Sequence, residues 1–104
     1  MSSWSESTRL DPAHPSLAGH FPDNPLAPGV LLLDRVMQAL ERGWPHCRVT
    51  GMGMGKFRRP WRPGQDLEIH LEATGQGVIA FTCLHEGEQV AQGQFSVACG
   101  EPAP

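Results

Sequence analysis

Between Gly29 and Arg42 the run Gly-Val-Leu-Leu-Leu-Asp-Arg-Val-Met-Gln-Ala-Leu-Glu-Arg carries apolar residues at helical spacing, whereas the apolar residues after it recur at every second position. One helix and a group of strands must therefore share a core. Pro28-Gly29 supplies a helix entry, and Gly43-Trp44-Pro45 ends the helix by glycine followed by proline. Beyond it, Leu67, Ile69 and Leu71 alternate with Glu68, His70 and Glu72, and Ile79, Phe81 and Cys83 alternate with Ala80 and Thr82. His85-Glu86-Gly87-Glu88 reads as a turn. Ala91, Gly93, Phe95, Val97 and Cys99 then form one face of a last strand, opposed by Val90, Gln92, Gln94 and Ser96. Cys47 to Phe57 is expected as a further strand, whose Gly51-Met52-Gly53-Met54-Gly55 run permits bulging or close backbone approach. That run lacks the Gly-x-Gly-x-x-Gly spacing, and Lys56 is followed by Phe57 rather than Ser or Thr, so it is not a phosphate cradle. The expectation is an α+β fold of about four antiparallel strands around one long central helix, with residues 1–104 as a single domain.

Charge and composition narrow the function. A formal charge of −3 with 18% charged residues argues against a general nucleic-acid or membrane-surface protein. No apolar run approaches the roughly 18 residues of a membrane span, and the Met-Ser-Ser-Trp-Ser-Glu-Ser start lacks the basic and apolar regions of a signal peptide. A cytoplasmic location is expected. Cys47, Cys83 and Cys99 are widely spaced, with no Cys-x-x-Cys pair and no nearby histidine cluster. They read as separate small thiols on strands, with no metal site. His14, His46, His70 and His85 have no partner at ligand spacing and read as surface residues.

The stretch before and into the helix carries the chemistry. Pro22, Pro25 and Pro28 stiffen a loop that presents His20. Asp34 falls within the helix, on a face expected to include Val30, Leu33, Met37 and Leu40. A carboxylate on such a face is costly unless something uses or pairs it, and a carboxyl in an apolar pocket keeps its proton more readily. A neutral imidazole, with a reference pKa near 6.5, can accept a proton at pH 7. His20 and Asp34 therefore form a candidate base and acid. The plain alternatives are a histidine that braces its loop and a helix carboxylate that faces solvent or pairs with Arg35 or Gln38.

The order His20-Phe21-Pro22-x-x-Pro25-x-x-Pro28-Gly29-Val30-x-x-x-Asp34 resembles the signature of the 3-hydroxyacyl-acyl-carrier-protein dehydratases of the FabZ and FabA types. Lys56-Phe57-Arg58-Arg59-Pro60-Trp61-Arg62-Pro63-Gly64-Gln65-Asp66-Leu67 resembles a second segment of the same family. The resemblance implies the hotdog fold, and dehydration of a 3-hydroxyacyl thioester to the trans-2-enoyl thioester. It makes His20 the base at C2 and Asp34 the acid or water-orienting group. Gly29 and Val30 become backbone donors to the thioester oxyanion, and Gln38 a group that orients Asp34 or the leaving water. It implies a homodimer, with a higher oligomer as an option, in which His20 of one chain meets Asp34 of the other. No metal or diffusible cofactor is called for, since the substrate rides on the phosphopantetheine arm of an acyl carrier protein. Lys56, Arg58, Arg59 and Arg62 would dock that acidic carrier; the plain reading is a solvated basic strand end. Ala27 stands where the family usually has methionine, which would widen the acyl tunnel, and Arg35 replaces a small residue. The chain also looks like the small accessory dehydratases of aryl-polyene and specialised lipid pathways. Two other functions fit the fold: a non-catalytic acyl-binding or scaffolding subunit, and an acyl-thioester hydrolase, which would not need the His-Phe-Pro loop.

Overall fold

The computed structural model describes residues 3–9, 29–62, 64–75 and 77–100, and the loop that carries His20 lies outside them. In chain order the elements are β1 (Ser3–Arg9), α1 (Gly29–Gly43), β2 (Cys47–Phe57), β3 (Asp66–Gly75), β4 (Val78–His85) and β5 (Glu88–Cys99). Among the described residues all strand pairings are antiparallel, in the order β1-β3-β4-β5-β2, with β1 and β2 at the edges of the sheet. The helix and the four later strands fall where their periodicity places them.

Helix α1 buries Leu32, Val36, Ala39 and Leu40 in one cluster with Leu67, Ile69, Leu71, Ile79, Phe81 and Phe95 of the sheet. This stripe is rotated from the expected one: Leu33 is only half-buried and Met37 is exposed. Leu31-Leu32-Leu33 offers three equally apolar phases for the helix. Which phase turns inward is decided by the surface it meets, not by the helix itself. Trp61 plugs the connection after β2, 2% exposed, with its indole N–H donating to the Gln65 carbonyl at 2.9 Å.

Strand β1 was not foreseen, because its exposed and half-buried residues show no apolar alternation. The β3 ladder, polar contacts and one tryptophan hold it instead. It pairs along β3 from Ser3↔Glu72 to Arg9↔Asp66, Arg42 of α1 bonds Glu6, and Arg35 donates to the Thr8 hydroxyl at 2.8 Å. The Arg42 guanidinium holds the Glu6 carboxyl below the usual carboxylate range. Trp4 lies over the last turn of α1, where a Cβ at Gly43 would come within 2.8 Å of its ring. Gly43 thus belongs to the helix and admits Trp4, besides ending the helix.

The glycine run of β2 does bulge. Register shifts fall between Val49/Gly51 and between Met52/Gly55, opposite β5. Beside the second shift, Gly93 of β5 passes so close to β2 and β4 that a Cβ there would meet the Met54 carbonyl at 2.5 Å and the Phe81 ring at 2.8 Å. Neither neighbour can withdraw easily, since one is backbone and Phe81 is stacked on Phe95 at 5.2 Å. Gly93→Ala is therefore expected to cost about 1–3 kcal/mol, the usual range for overpacking a core. Chemical denaturation checks this, and an unchanged midpoint would mean that the two strands do not approach so closely. A further bulge places Val90 beside Ala91, both buried, where simple alternation put them on opposite faces. The Val90 carbonyl then accepts from the N–H groups of Arg58 and Arg59 at 2.8 and 3.2 Å.

The cysteine reading is corrected. Cys47 and Cys99, 52 residues apart, lie directly opposite on β2 and β5 and form a disulfide, with His46 beside them. Only the strand register brings them together, and linear spacing does not reveal register. Cys83 is a free buried thiol, pushed up to about 12 by burial. His70 and His85 also have partners, the Ser5 hydroxyl at 3.0 Å and the Asp66 carbonyl at 2.7 Å respectively. No helix among the described residues is long and apolar enough to cross a membrane.

Candidate active site

The flank of α1 that escapes the core faces β2. Asp34 stands there, two residues from both Leu32 and Val36 and so on another side of the helix from them. It is exposed in the single chain, not enclosed in an apolar pocket, because its side opens on the space between helix and edge strand. Gln38, one turn on, donates to its Oδ2 at 2.8 Å. This is the i, i+4 pairing that the sequence left open. Around Asp34 is a groove of about 440 Å³ lined by Leu33, Met37, Val49, Thr50, Met52 and Phe95. The groove is apolar apart from Asp34 and Thr50.

Gly29 is the first residue of α1 and Val30 the second, so their N–H groups belong to the unpaired amides of the helix start. Gly29 borders a second hollow of about 470 Å³, with Leu32 on the helix and Phe57, Arg58, Pro60 and Trp61 after β2. A Cβ at Gly29 would sit 3.5 Å from the Phe57 ring, an ordinary contact, so packing does not demand glycine there.

The lining residues set these two hollows in succession along α1 and β2, Gly29 and Leu32 with Phe57 first, then Leu33 to Met37 with Val49 to Met52. Asp34 comes five positions after Gly29, which is about 7.5 Å along a helix axis. The helix start and the carboxylate thus line a crevice made of two successive hollows. Sequence reasoning missed its β2 wall, since Thr50 and Met52 carry no catalytic signature. The alternating Gly-Met run was the available signal, as it supplies long apolar side chains on a bulged strand.

The four cations do not share one hollow. Arg58 and Arg59 border the hollow at Gly29, while Lys56 borders another with Met54, Gln92 and Gln94. Arg59 also pairs with Glu88 at 2.9 Å and, with Arg62, Gln65, His85 and Glu86, lines a fourth, polar hollow. His20 falls outside the described residues, so the proposed meeting of His20 and Asp34 is not visible in this chain.

Comparisons agree with this architecture. The chain is 34% identical over 95 residues to the 3-hydroxyacyl-acyl-carrier-protein dehydratase FabZ of Bartonella bacilliformis, covering 79% of this chain and 62% of that protein. The FabZ of Thermus thermophilus is 36% identical over 90 residues, covering 74% and 63%. The chain therefore spans less than two thirds of the length of these curated relatives. Among solved structures, the dehydratase heterocomplex ApeI:P from Xenorhabdus doucetiae superposes with a TM-score of 0.84 at 27% identity, over 95% of this chain and 88% of that one. An (R)-hydratase from A. caviae shares the fold at a TM-score of 0.72, 16% identity and 94% coverage of each chain. The fold is the hotdog fold, as the resemblance implied. Residues 2–94 match the family model described as ApeI-like, ApeI dehydratase, and the chain belongs to that family.

Proposed function

We propose that this chain dehydrates a 3-hydroxyacyl thioester carried on an acyl carrier protein, giving the trans-2-enoyl thioester and water. The observation that carries the reading is the crevice of two successive hollows along α1 and β2, the first bordered by the helix start and the second by one carboxylate. A 3-hydroxyacyl head could span it, its thioester oxygen on the amides of Gly29 and Val30 and its C3 hydroxyl at Asp34, with a hydrogen bond of about 2.8 Å at each end. His20 takes the proton from C2, and the resulting negative charge gathers on the thioester oxygen at the helix start. The C3–O bond breaks as the hydroxyl takes a proton, from Asp34 or from the protonated His20, and leaves as water that Asp34 orients. Gln38, bonded to Asp34 Oδ2, holds that carboxyl in position. These steps call for no metal and no diffusible cofactor.

The second half of each site comes from another copy of the chain. Edge strand β2 exposes Met52, Met54 and Phe57 at 42%, 68% and 51%, an apolar border unusual for an unpaired edge. A homodimer joined at β2 would cover it, and the family resemblance pairs His20 of one chain with Asp34 of the other. The solved relative from Xenorhabdus doucetiae is named as a heterocomplex, so a related partner subunit is the competing arrangement. We place the reaction in the cytoplasm, where reductants keep most thiols unpaired.

The test compares two substrates, a carrier-bound 3-hydroxyacyl thioester and the same acyl group on a small pantetheine thiol. Wild type is expected to turn over both and to prefer the carrier, with a preference that weakens as salt rises, since about 0.15 M salt already screens exposed charges beyond roughly 8 Å. Arg58→Glu with Arg59→Glu should raise KM for the carrier-bound substrate and spare the small one, because only the carrier presents an acidic surface. Equal losses on both would assign these arginines to the fold or the crevice. Absence of turnover on both substrates by the folded wild-type protein would overturn the dehydratase reading.

A further inference from the structure

Where β2 begins and β5 ends, three soft donors converge. The N–H of Gly100 donates to the His46 carbonyl at 2.9 Å, while that of Cys47 turns back to the Trp44 carbonyl at 3.0 Å. Cys47 and Cys99 are thereby held as a non-hydrogen-bonded antiparallel pair, the kind in which side chains come closest. His46 precedes Cys47 directly, in the turn after α1, and a ring nitrogen of His46 and both sulfurs lie within 4.8 Å of one another. Cys47 is buried, while His46 and Cys99 are exposed, so the group is anchored on one side and open to entry on the other.

Two thiolates and an imidazole are the donor set of zinc, and hard cations such as magnesium or calcium would not choose it. With Zn–S near 2.3 Å and Zn–N near 2.0–2.1 Å, tetrahedral geometry separates donor atoms by roughly 3.5–3.8 Å. The three ligand atoms are thus already gathered, and once the S–S bond opens, rotation of the two cysteine side chains must part the sulfurs to that spacing. We propose that the reduced chain binds one Zn²⁺ through Cys47 Sγ, Cys99 Sγ and a His46 ring nitrogen, with water in the fourth position.

The disulfide and the metal exclude each other, because both use the same two sulfurs. A thiol or phosphine reductant breaks the S–S bond, giving two electrons to the sulfurs, which take two protons from solvent while the reductant is oxidised. Zinc then displaces both thiol protons to solvent as it binds. In a reducing compartment the ion would tie the start of β2 to the end of β5, as the disulfide does under oxidising conditions. This inference does not depend on the dehydratase reading, and its test needs no turnover.

The full chain, reduced with a phosphine and freed of excess reductant without air, is titrated with Co²⁺ and then Zn²⁺. One equivalent of cobalt should bind, with a thiolate-to-cobalt charge-transfer band and the visible bands of tetrahedral cobalt, and zinc should displace it. The oxidised chain should show neither band. Cys99→Ser should weaken the charge-transfer band and lower affinity, His46→Ala should keep the band but lower affinity about 10-fold or more, and Cys83→Ser should change nothing, since Cys83 is buried elsewhere in the sheet. The proposal fails if reduced wild type shows no band, if the oxidised chain binds as well, or if the band depends on Cys83. Comparing reduced with oxidised wild type needs no variant, so a misfolded mutant cannot hide the answer.

Discussion

His20→Ala is expected to lower turnover of 3-hydroxyacyl or trans-2-enoyl thioesters at least about 100-fold, the lower end for loss of a general base. The size follows from the lack of a substitute. Asp34 lies at the other end of the proposed reaction, and Gln38 cannot take a proton from carbon. The amides of Gly29 and Val30 are donors only. Substrate binding should fall much less, because the apolar walls formed by Met37, Met52 and Phe95 remain in place. The loss should therefore appear in kcat more than in KM. Steady-state kinetics on a variant whose circular dichroism matches wild type checks the prediction. Near-normal kcat would remove His20 from the mechanism.

Mixing His20→Ala with Asp34→Asn protein, each inactive alone, should restore activity when subunits exchange. If the site pairs His20 of one chain with Asp34 of its twin, random exchange makes half of the dimers mixed, and each mixed dimer keeps one intact site of two. The recovery should approach about one quarter of wild-type activity, as expected for a symmetric two-chain assembly. The exposed Met52, Met54 and Phe57 along edge β2 motivate the test, since they give a second copy something to cover. Differently tagged chains would show whether exchange has occurred. Complete exchange without recovery would place both groups within one chain, or would make the natural partner a different subunit.

Much of this protein could be read directly from residue order. The 3.6-residue spacing of Gly29 to Arg42 and the two-residue spacing from Leu67 onward settled helix and strand, because each spacing turns one face of its element toward a core. The Pro-Gly entry to α1, the turn at Glu86-Gly87 and the bulging of the Met-Gly run were equally local, and glycine and proline announce such features through their own backbone limits. The candidate site was legible as a motif, since a histidine in a proline-rich loop fourteen residues before a helix carboxylate is a pattern along the chain.

Tertiary structure decided what depends on partners distant in sequence. Strand β1 is held by Arg42, Arg35, the β3 ladder and the seat of Trp4 on α1 rather than by an apolar alternation of its own, so no periodicity within Ser3–Arg9 declares it. The phase of α1 was set by the sheet beneath it, which drew Leu32 and Val36 inward and left Asp34 on the open flank. The Cys47–Cys99 pair arose from the register of β2 against β5, bulges included, and a register is a property of two strands together. Periodicity is written into each segment, whereas the choice among equally apolar faces and the pairing of distant residues belong to the packed whole.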